Sequence, residues 1–450
     1  MSASVESTPE QAPSSPSPSR TSLRELFAAT EIDVRLFGML VALVVILVGF
    51  HFLSGGRLIS PPNMITLAVQ TSGTAIMATG MVLIIVSRNI DLSVGSQVGV
   101  ISMVYAVLMT DFLPDVIGFP EVGSPLMWIV ALALGIGVGI FIGGVQGFII
   151  AYVGVPAFVV TLGGLLALRG VVWVLSQGAA VTGIDSTFRQ IGGGALGSLG
   201  GEVTWILGIL GCLGIIGIVV YNRWQRRKFG FPVRPVWADV LIGGVSCAVV
   251  LGLTWMANQT FYPRGIARTR AEELGLEIPP EQLGSYFPMG VSWPIILLIG
   301  VTIVMTFIAT RRRYGRYVYA YGGNPDAADL AGINTRWTLM KTFMLMGALC
   351  AISASILVGR LNGAAQDLGN IEELYVIAAA VVGGTSFAGG IGTIPGAVLG
   401  AFVMQALAYG LAFMNVPSPI QAIVAGVVLV AAVGVDSWNR RRGGGRRGAR

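Results

Sequence analysis

Charge is scarce in this chain. Asp, Glu, Lys and Arg together make up 11% of its 450 residues, where a soluble domain carries roughly 25%. That shortage excludes an ordinary water-soluble fold. With 54% hydrophobic residues and a mean hydropathy of +0.78, the bilayer is the expected solvent. Lysine is nearly missing: Lys228 and Lys341 are the only two, and neither follows glycine in the G-K-[ST] order of a phosphate-binding loop. Binding and hydrolysis of ATP by that route are therefore excluded. The single histidine, His51, stands near the outer end of the first apolar run and is read as interfacial rather than as a ligand. Cys212, Cys247 and Cys350 all fall in apolar runs, with no spacing that suggests a disulfide or a metal site. HExxH, CxxC and GxSxG sites are also missing. The GSLGG at 197–201 fails the last pattern because Ser198 directly follows the first glycine. No nucleophile, base and metal set converges, so neither an enzyme nor a chain with its own cofactor is expected.

Carboxylates are thin in the apolar runs too. Asp91, Asp239 and Asp436 fall at run ends, and Arg169 is taken as the one embedded charge. A proton- or sodium-coupled carrier ordinarily needs a carboxylate near the midplane. A solute moved uphill by this chain would thus draw on the energy of a separate subunit.

What is present is a series of twelve apolar segments. They cover residues 37–53, 67–86, 94–110, 127–153, 156–175, 205–221, 240–256, 291–310, 342–358, 371–384, 394–413 and 420–435. The second can start earlier, at Pro61-Pro62, since proline suits a first helical turn. The tenth is short and runs into GGTSFAGGIGTIPG, the pattern of a broken helix covered by protein or a water-filled path. The expected fold is an all-α integral membrane protein with about 12 transmembrane segments, one of them short or broken. Residues 1–34, rich in Ser, Pro and Glu, read as a disordered cytosolic tail rather than a signal peptide. Residues 35–436 form the membrane domain and 437–450 a basic cytosolic tail. Gly139, Gly143 and Gly147 recur every four residues, a smooth face read as helix packing.

Basic residues set the expected orientation. With both termini cytosolic, 21 of the 28 Lys and Arg lie inside, 6 outside, and Arg169 within a span. The net charge of +6 then needs no nucleic acid, because tails and loops facing anionic lipid account for it. Two outer loops are long, 176–204 and 257–290. Each can dock an extracytoplasmic protein or serve as a solvated connector.

The inner loop at 315–335, GRYVYAYGGNPDAADLAGINT, is more organised than a simple connector. Asn324 is a good N-cap and Pro325 suits the first turn. Asp326 and Asp329 lie where the helix dipole favours acids. Ala327, Ala328, Ala331 and Ile333 give a small apolar face, and Gly322, Gly323 and Gly332 let the chain turn. A capped surface helix and a handle for a cytosolic partner are both open on these residues alone.

Gly315-Arg316 followed by YAYGGNPDAADLAGIN resembles the coupling segment of permeases from ribose- and xylose-type ABC sugar importers. Residues 89–96, NIDLSVGS, resemble that family's IDLSVGS signature. Val160-Thr161-Leu162-Gly163 with Arg169-Gly170 resembles its TLG…RG segment. Ile377-Ala378-Ala379, with 382–386 (VGGTS) and Gly389-Gly390, resembles its IAA…VGGTS…GG signature. The matches run in family order from about 61 to 436. The basic 222–234 loop, the extra 240–256 span and the length are closer to the xylose or multiple-sugar branch. Three positions depart from the pattern: Gln146, where Asn is usual, Arg88-Asn89, where glycine is common, and Tyr375, where an acid is common.

The resemblance implies a permease subunit of an ATP-driven monosaccharide importer in the bacterial cytoplasmic (inner) membrane, making and breaking no covalent bond. Its implied partners are a cytosolic ABC ATPase that binds the ATP and Mg, an extracytoplasmic sugar-binding protein, and a second permease copy in a homodimer. Gly315, Arg316, Gly323, Asn324, Pro325, Ala327, Ala328, Ala331 and Gly332 would form the ATPase-coupling segment. Asn89, Asp91, Ser93, Thr161, Arg169, Thr385 and Ser386 are candidates for the translocation path or gate. For Asp91 two readings stand, a cap on a helix starting near Leu92 or a path residue. Thr161 likewise either meets sugar or bonds to helix backbone. The competing function is a stand-alone secondary transporter or facilitator of small polar solutes.

Overall fold

Several helix starts in this chain follow its prolines. In the computed structural model, which describes residues 34–116 and 126–444, Pro61, Pro62, Pro294, Pro325 and Pro395 sit in first turns. There the missing N–H has no helical partner to lose. Of the tails expected at 1–34 and 437–450, residues 1–33 and 445–450 lie outside the described residues, whereas Val34 opens the first helix and 437–444 continue the last one.

The elements in order are α1 (Val34–Leu53), α2 (Pro61–Val86) and α3 (Val94–Val107), which continues as a π-helix over Leu108–Val116. Next come α4 (Met127–Phe148), continued by a π-helical turn over Ile149–Val153, α5 (Ala157–Ser176), β1 (Val181–Thr182), α6 (Ser186–Ile191), α7 (Gly201–Lys228) and α8 (Val236–Asn258). The chain goes on through α9 (Arg264–Glu273), α10 (Leu283–Tyr286), α11 (Trp293–Arg311), α12 (Arg313–Gly323), α13 (Pro325–Leu330) and α14 (Thr335–Leu361). It ends with β2 (Gly363–Ala364), α15 (Glu372–Val382), α16 (Ile394–Phe413) and α17 (Ser418–Gly444).

Ten of the described helices are long and apolar enough to cross a membrane: α1 to α5, α7, α8, α11, α14 and α16. Two expected segments are shorter. Helix α15 has 11 residues, roughly 16 Å of rise against a hydrocarbon core of about 30 Å. In α17 the apolar part is Ser418–Ala431. Several helices outrun the apolar segments read from sequence. Helix α7 continues into its basic residues as far as Lys228, and α14 begins at Thr335 rather than 342. Apolar length marks what lipid can cover, whereas i→i−4 hydrogen bonding carries on into water.

Helix α2 is the axis of the bundle. Its apolar window is 94% buried, packed by α11, α14, α15 and α16. Helices α1, α5 and α8 are 6%, 11% and 11% buried and form the rim. The glycine face of α4 seats directly on the backbone of α14: a Cβ at Gly139 would strike the Gly347 carbonyl, and one at Gly143 the Phe343 carbonyl. Two helices can approach this closely only through residues without side chains.

The two long loops expected on the outer side, 176–204 and 257–290, fold against each other. Leu199 and Gly200 donate their N–H groups to Val291 and Met289 carbonyls, and Tyr262 Oη donates to Ser198 O. Tyr262, Ala267, Ala271 and Leu283 form a small core of their own. After α14 the chain does not run straight into its next helix. Strand β2 pairs antiparallel with β1, and the Leu368 and Gly369 carbonyls then press on Gly99 and Gly95 of α3. Helix α15 therefore starts beside Thr74, at the midpoint of α2.

Candidate coupling and translocation site

The polar segment between α11 and α14 is two helices, not one. Arg313–Gly323 forms α12, and Asn324 both ends it and caps α13: its side chain accepts from Ala327 N at 3.1 Å. Gly332 turns the chain with φ +77°. Gly323, Asn324, Ala327, Ala331, Gly332 and Arg316 are exposed, and Pro325 is half-buried. Two of the expected contact residues face inward instead. Ala328 is buried because α13 folds back toward the start of α14, and Gly315 is buried against the Ile308 and Ala309 carbonyls. The side chain this helix presents is Leu330, 90% exposed. A lone leucine among small and acidic residues carries little sequence signal, and the expected apolar face left it out.

Helix α12 is bonded to two other loops at once. Arg88 Nε donates to Gly322 O at 2.7 Å and its Nη2 to Gly323 O at 2.8 Å. Tyr319 Oη donates to Gly392 O at 2.7 Å. Gly390 N donates to Val86 O at 3.0 Å. Packing is tight enough that a Cβ at Gly322 would strike the Val86 carbonyl, and one at Gly389 would meet Arg88 Cγ and Gly322 O. Three motifs far apart in sequence (around 88, 322 and 390) thus share one contact. Arg88 itself has φ +62°, a left-handed conformation that costs a non-glycine residue about 1–2 kcal/mol.

From Arg88 the chain turns back to start α3. Asn89 Nδ2 donates to Ser87 O at 2.7 Å, fixing the turn locally. Asp91 does not cap α3, which begins at Val94, beyond the expected start near Leu92. Its Oδ1 accepts from Ser93 N (2.9 Å) and Ser93 Oγ (2.6 Å), and its Oδ2 accepts from Gln97 Nε2 at 3.3 Å. Gln146 from α4 completes the network, its Nε2 donating to Ser93 Oγ at 2.9 Å. Burial pushes the Asp91 carboxyl above its ordinary value, opposed by the bonds from Ser93 and Gln97. Thr161 Oγ1 donates to Ile90 O at 3.3 Å, so this hydroxyl holds the same connection. Asp91, Ser93 and Thr161 are sealed at 0% exposure.

The other path candidates divide. Arg169 Nη1 donates to Leu368 O at 3.2 Å, tying α5 to the segment ahead of α15. Thr385 and Ser386 are buried in the loop after α15, and neither hydroxyl has a hydrogen-bond partner. One group was missed. Glu372 opens α15 midway along the bundle, where Thr74 Oγ1 donates to its Oε2 at 3.1 Å and Gln405 Nε2 donates to Thr74 Oγ1 at 2.7 Å. The expectation of no embedded carboxylate is thereby corrected. The residue is half-buried rather than sealed, and it follows Ile371, a β-branched residue at φ +67°. Such an outlier stores strain of order 1–3 kcal/mol. The signal was the pair Glu372-Glu373 at the start of the tenth apolar segment. Tyr375, where an acid is common in the resembled family, lies one turn after Glu372 on the same helix face.

A bundle of ten long apolar helices, with one half-length helix starting at its middle and a folded polar segment bonded to two inter-helix loops, defines a multi-pass transport permease. The chain belongs to the family described as branched-chain amino acid transport system / permease component, which matches residues 63–433. It is 36% identical over 412 residues to the xylose transport system permease protein XylH of Escherichia coli (strain K12), covering 91% of this chain and 94% of that one. It is 30% identical over 376 residues to the ribose import permease protein RbsC of the same organism, covering 83% and 85%. The galactose/methyl galactoside import permease protein MglC of that organism is 27% identical over 409 residues, covering 90% and 95%. No solved structure matches the chain.

Proposed function

We propose that this chain is the permease subunit of an ATP-driven importer for a monosaccharide, a xylose-like pentose or several sugars, in the bacterial inner membrane. The observation that carries the reading is the bonding of α12 to both the 87–93 connection and the 386–392 loop. A partner that moved α12 and α13 would move the start of α3 and the end of α15 with them. Coupling of this kind needs contiguous contact and two packings that the ligand states favour differently. The exposed Leu330 and the small residues around it are the surface a cytosolic ABC ATPase would hold, with ATP and Mg bound on that partner. An extracytoplasmic sugar-binding protein would dock on the outer cap, and two copies of this chain would enclose the path. Twelve segments with cytosolic termini follow if α15 and α17 complete the ten long spans, with membrane lipid covering the rim.

Reconstitution tests the reading. Vesicles holding the permease, its neighbouring ATPase and a sugar-loaded binding protein should accumulate pentose only when ATP is enclosed, and omission of any component should stop uptake.

Glu372 keeps a second reading in view. A carboxylate midway along the bundle is what a proton-coupled carrier uses. Accumulation by the purified chain alone, driven by a proton gradient and lost in Glu372→Gln, would establish that reading instead.

A further inference from the structure

Glycine would serve the turn at position 88 without strain, yet this chain carries arginine there at φ +62°. The side chain does three things that glycine cannot. Its stem lies over Gly389, its Nε meets Gly322 O, and its Nη2 meets Gly323 O. Those two carbonyls end α12. The last carbonyls of a helix have no partner within it, and they carry the negative end of its dipole. A planar guanidinium can satisfy two of them together. Arg88 therefore acts as a C-terminal cap for a helix more than 200 residues away in sequence. It works beside a second helix end, that of α2, where Val86 O accepts from Gly390 N.

We propose that Arg88 is a positioning residue that makes α12, the 87–93 connection and the 386–391 loop move as one body. This rests on the coupling reading of α12 and α13. Motion of α12 reaches the path through backbone hydrogen bonds and glycine contacts in any case, and Arg88 removes the slack between them. Arg88 is exposed, so its removal opens no cavity in the core. Lysine cannot replace it fully, because an ammonium is a point charge rather than a fork.

The test uses Arg88→Gly, Arg88→Lys and Arg88→Asn. Asparagine tolerates the left-handed conformation but is too short to reach α12, so it decides the matter if Arg88→Gly folds poorly. In lipid nanodiscs without partners, amide exchange around 320–324 should speed up about tenfold in the Gly and Asn variants, with melting temperature unchanged or raised. In the complete reconstituted importer, sugar moved per ATP should fall several-fold in both, with Lys intermediate. Unchanged exchange would overturn the cap. Faster exchange with an unchanged sugar-to-ATP ratio would overturn the positioning role. If wild-type vesicles show no ATP-driven uptake at all, the importer reading fails, and the exchange measurement still decides the cap on its own.

Discussion

Asp91 and Glu372 are both carboxylates lodged in an apolar bundle, and their surroundings treat them differently. Asp91 is sealed, with both oxygens accepting hydrogen bonds from Ser93 and Gln97 and with Gln146 behind them. Glu372 is partly buried, with one bond from Thr74 and a place at the first turn of a half-length helix. A buried network of this kind holds the turn in place, since removing the carboxylate leaves a buried N–H unsatisfied. A partly buried carboxylate at the start of a half-length helix is a position where a path can be tested for. Asp91 of the NIDLSVGS segment is thus bonded into the fold on both oxygens, whereas Glu372, outside every quoted motif, is the carboxylate whose role in a path is to be tested by substitution.

The contrast can be broken at its strongest point first. Asp91→Ala strands Ser93 N–H without its acceptor, while Ser93 Oγ and Gln97 Nε2 keep Gln146 Oε1 within reach. It should lower stability by roughly 1–3 kcal/mol, seen as a drop in melting temperature and in membrane yield. A variant that melts like the wild type yet fails to transport would put Asp91 in the path after all. Glu372→Gln should do the opposite: unchanged melting, with uptake reduced roughly tenfold or more. Normal uptake would remove Glu372 from the path. Leu330→Ala should leave both carboxylate sites and the melting temperature alone while weakening capture of the ATPase by about tenfold, from the loss of one buried leucine contact. Equal capture in a pull-down would mean that the partner grips elsewhere. Smallest of all, Gln146→Asn should shorten the reach to Ser93 and cost about 1 kcal/mol with transport kept, measurable as a modest melting shift.

Much of the coupling segment was legible because its signals are local. Asn324, Pro325 and Gly332 specify a cap, a first turn and a left-handed stop within a few residues, and all three occur as read. The inward turn of Ala328 was not, because it depends on how α13 folds back toward α14. Asp91 was misplaced by the same limit. Its partners Gln97 and Gln146 are set by the fold rather than by capping statistics. Glu372 was hidden more deeply. Two adjacent acids beside an asparagine look like the edge of a span, and only the contact of Leu368 and Gly369 with Gly95 and Gly99 brings that edge to the middle of the bundle. Ten of the twelve expected segments occur as long apolar helices among the described residues, but helix length did not follow apolar length, as α7 and α14 show.

The claim that α12 and its two loops form one moving body is open to a direct test. In a background with Cys212, Cys247 and Cys350 replaced by alanine, Arg88→Cys and Gly323→Cys place two exposed thiols across the arginine bridge. ATP-driven sugar uptake is then measured before and after linking them with a short bis-maleimide. The expected result is weak coupling before linking and recovery after it, because the linker restores the bridge. Abolition of uptake by the linker would contradict the claim, showing that α12 and the 87–93 connection must separate during transport.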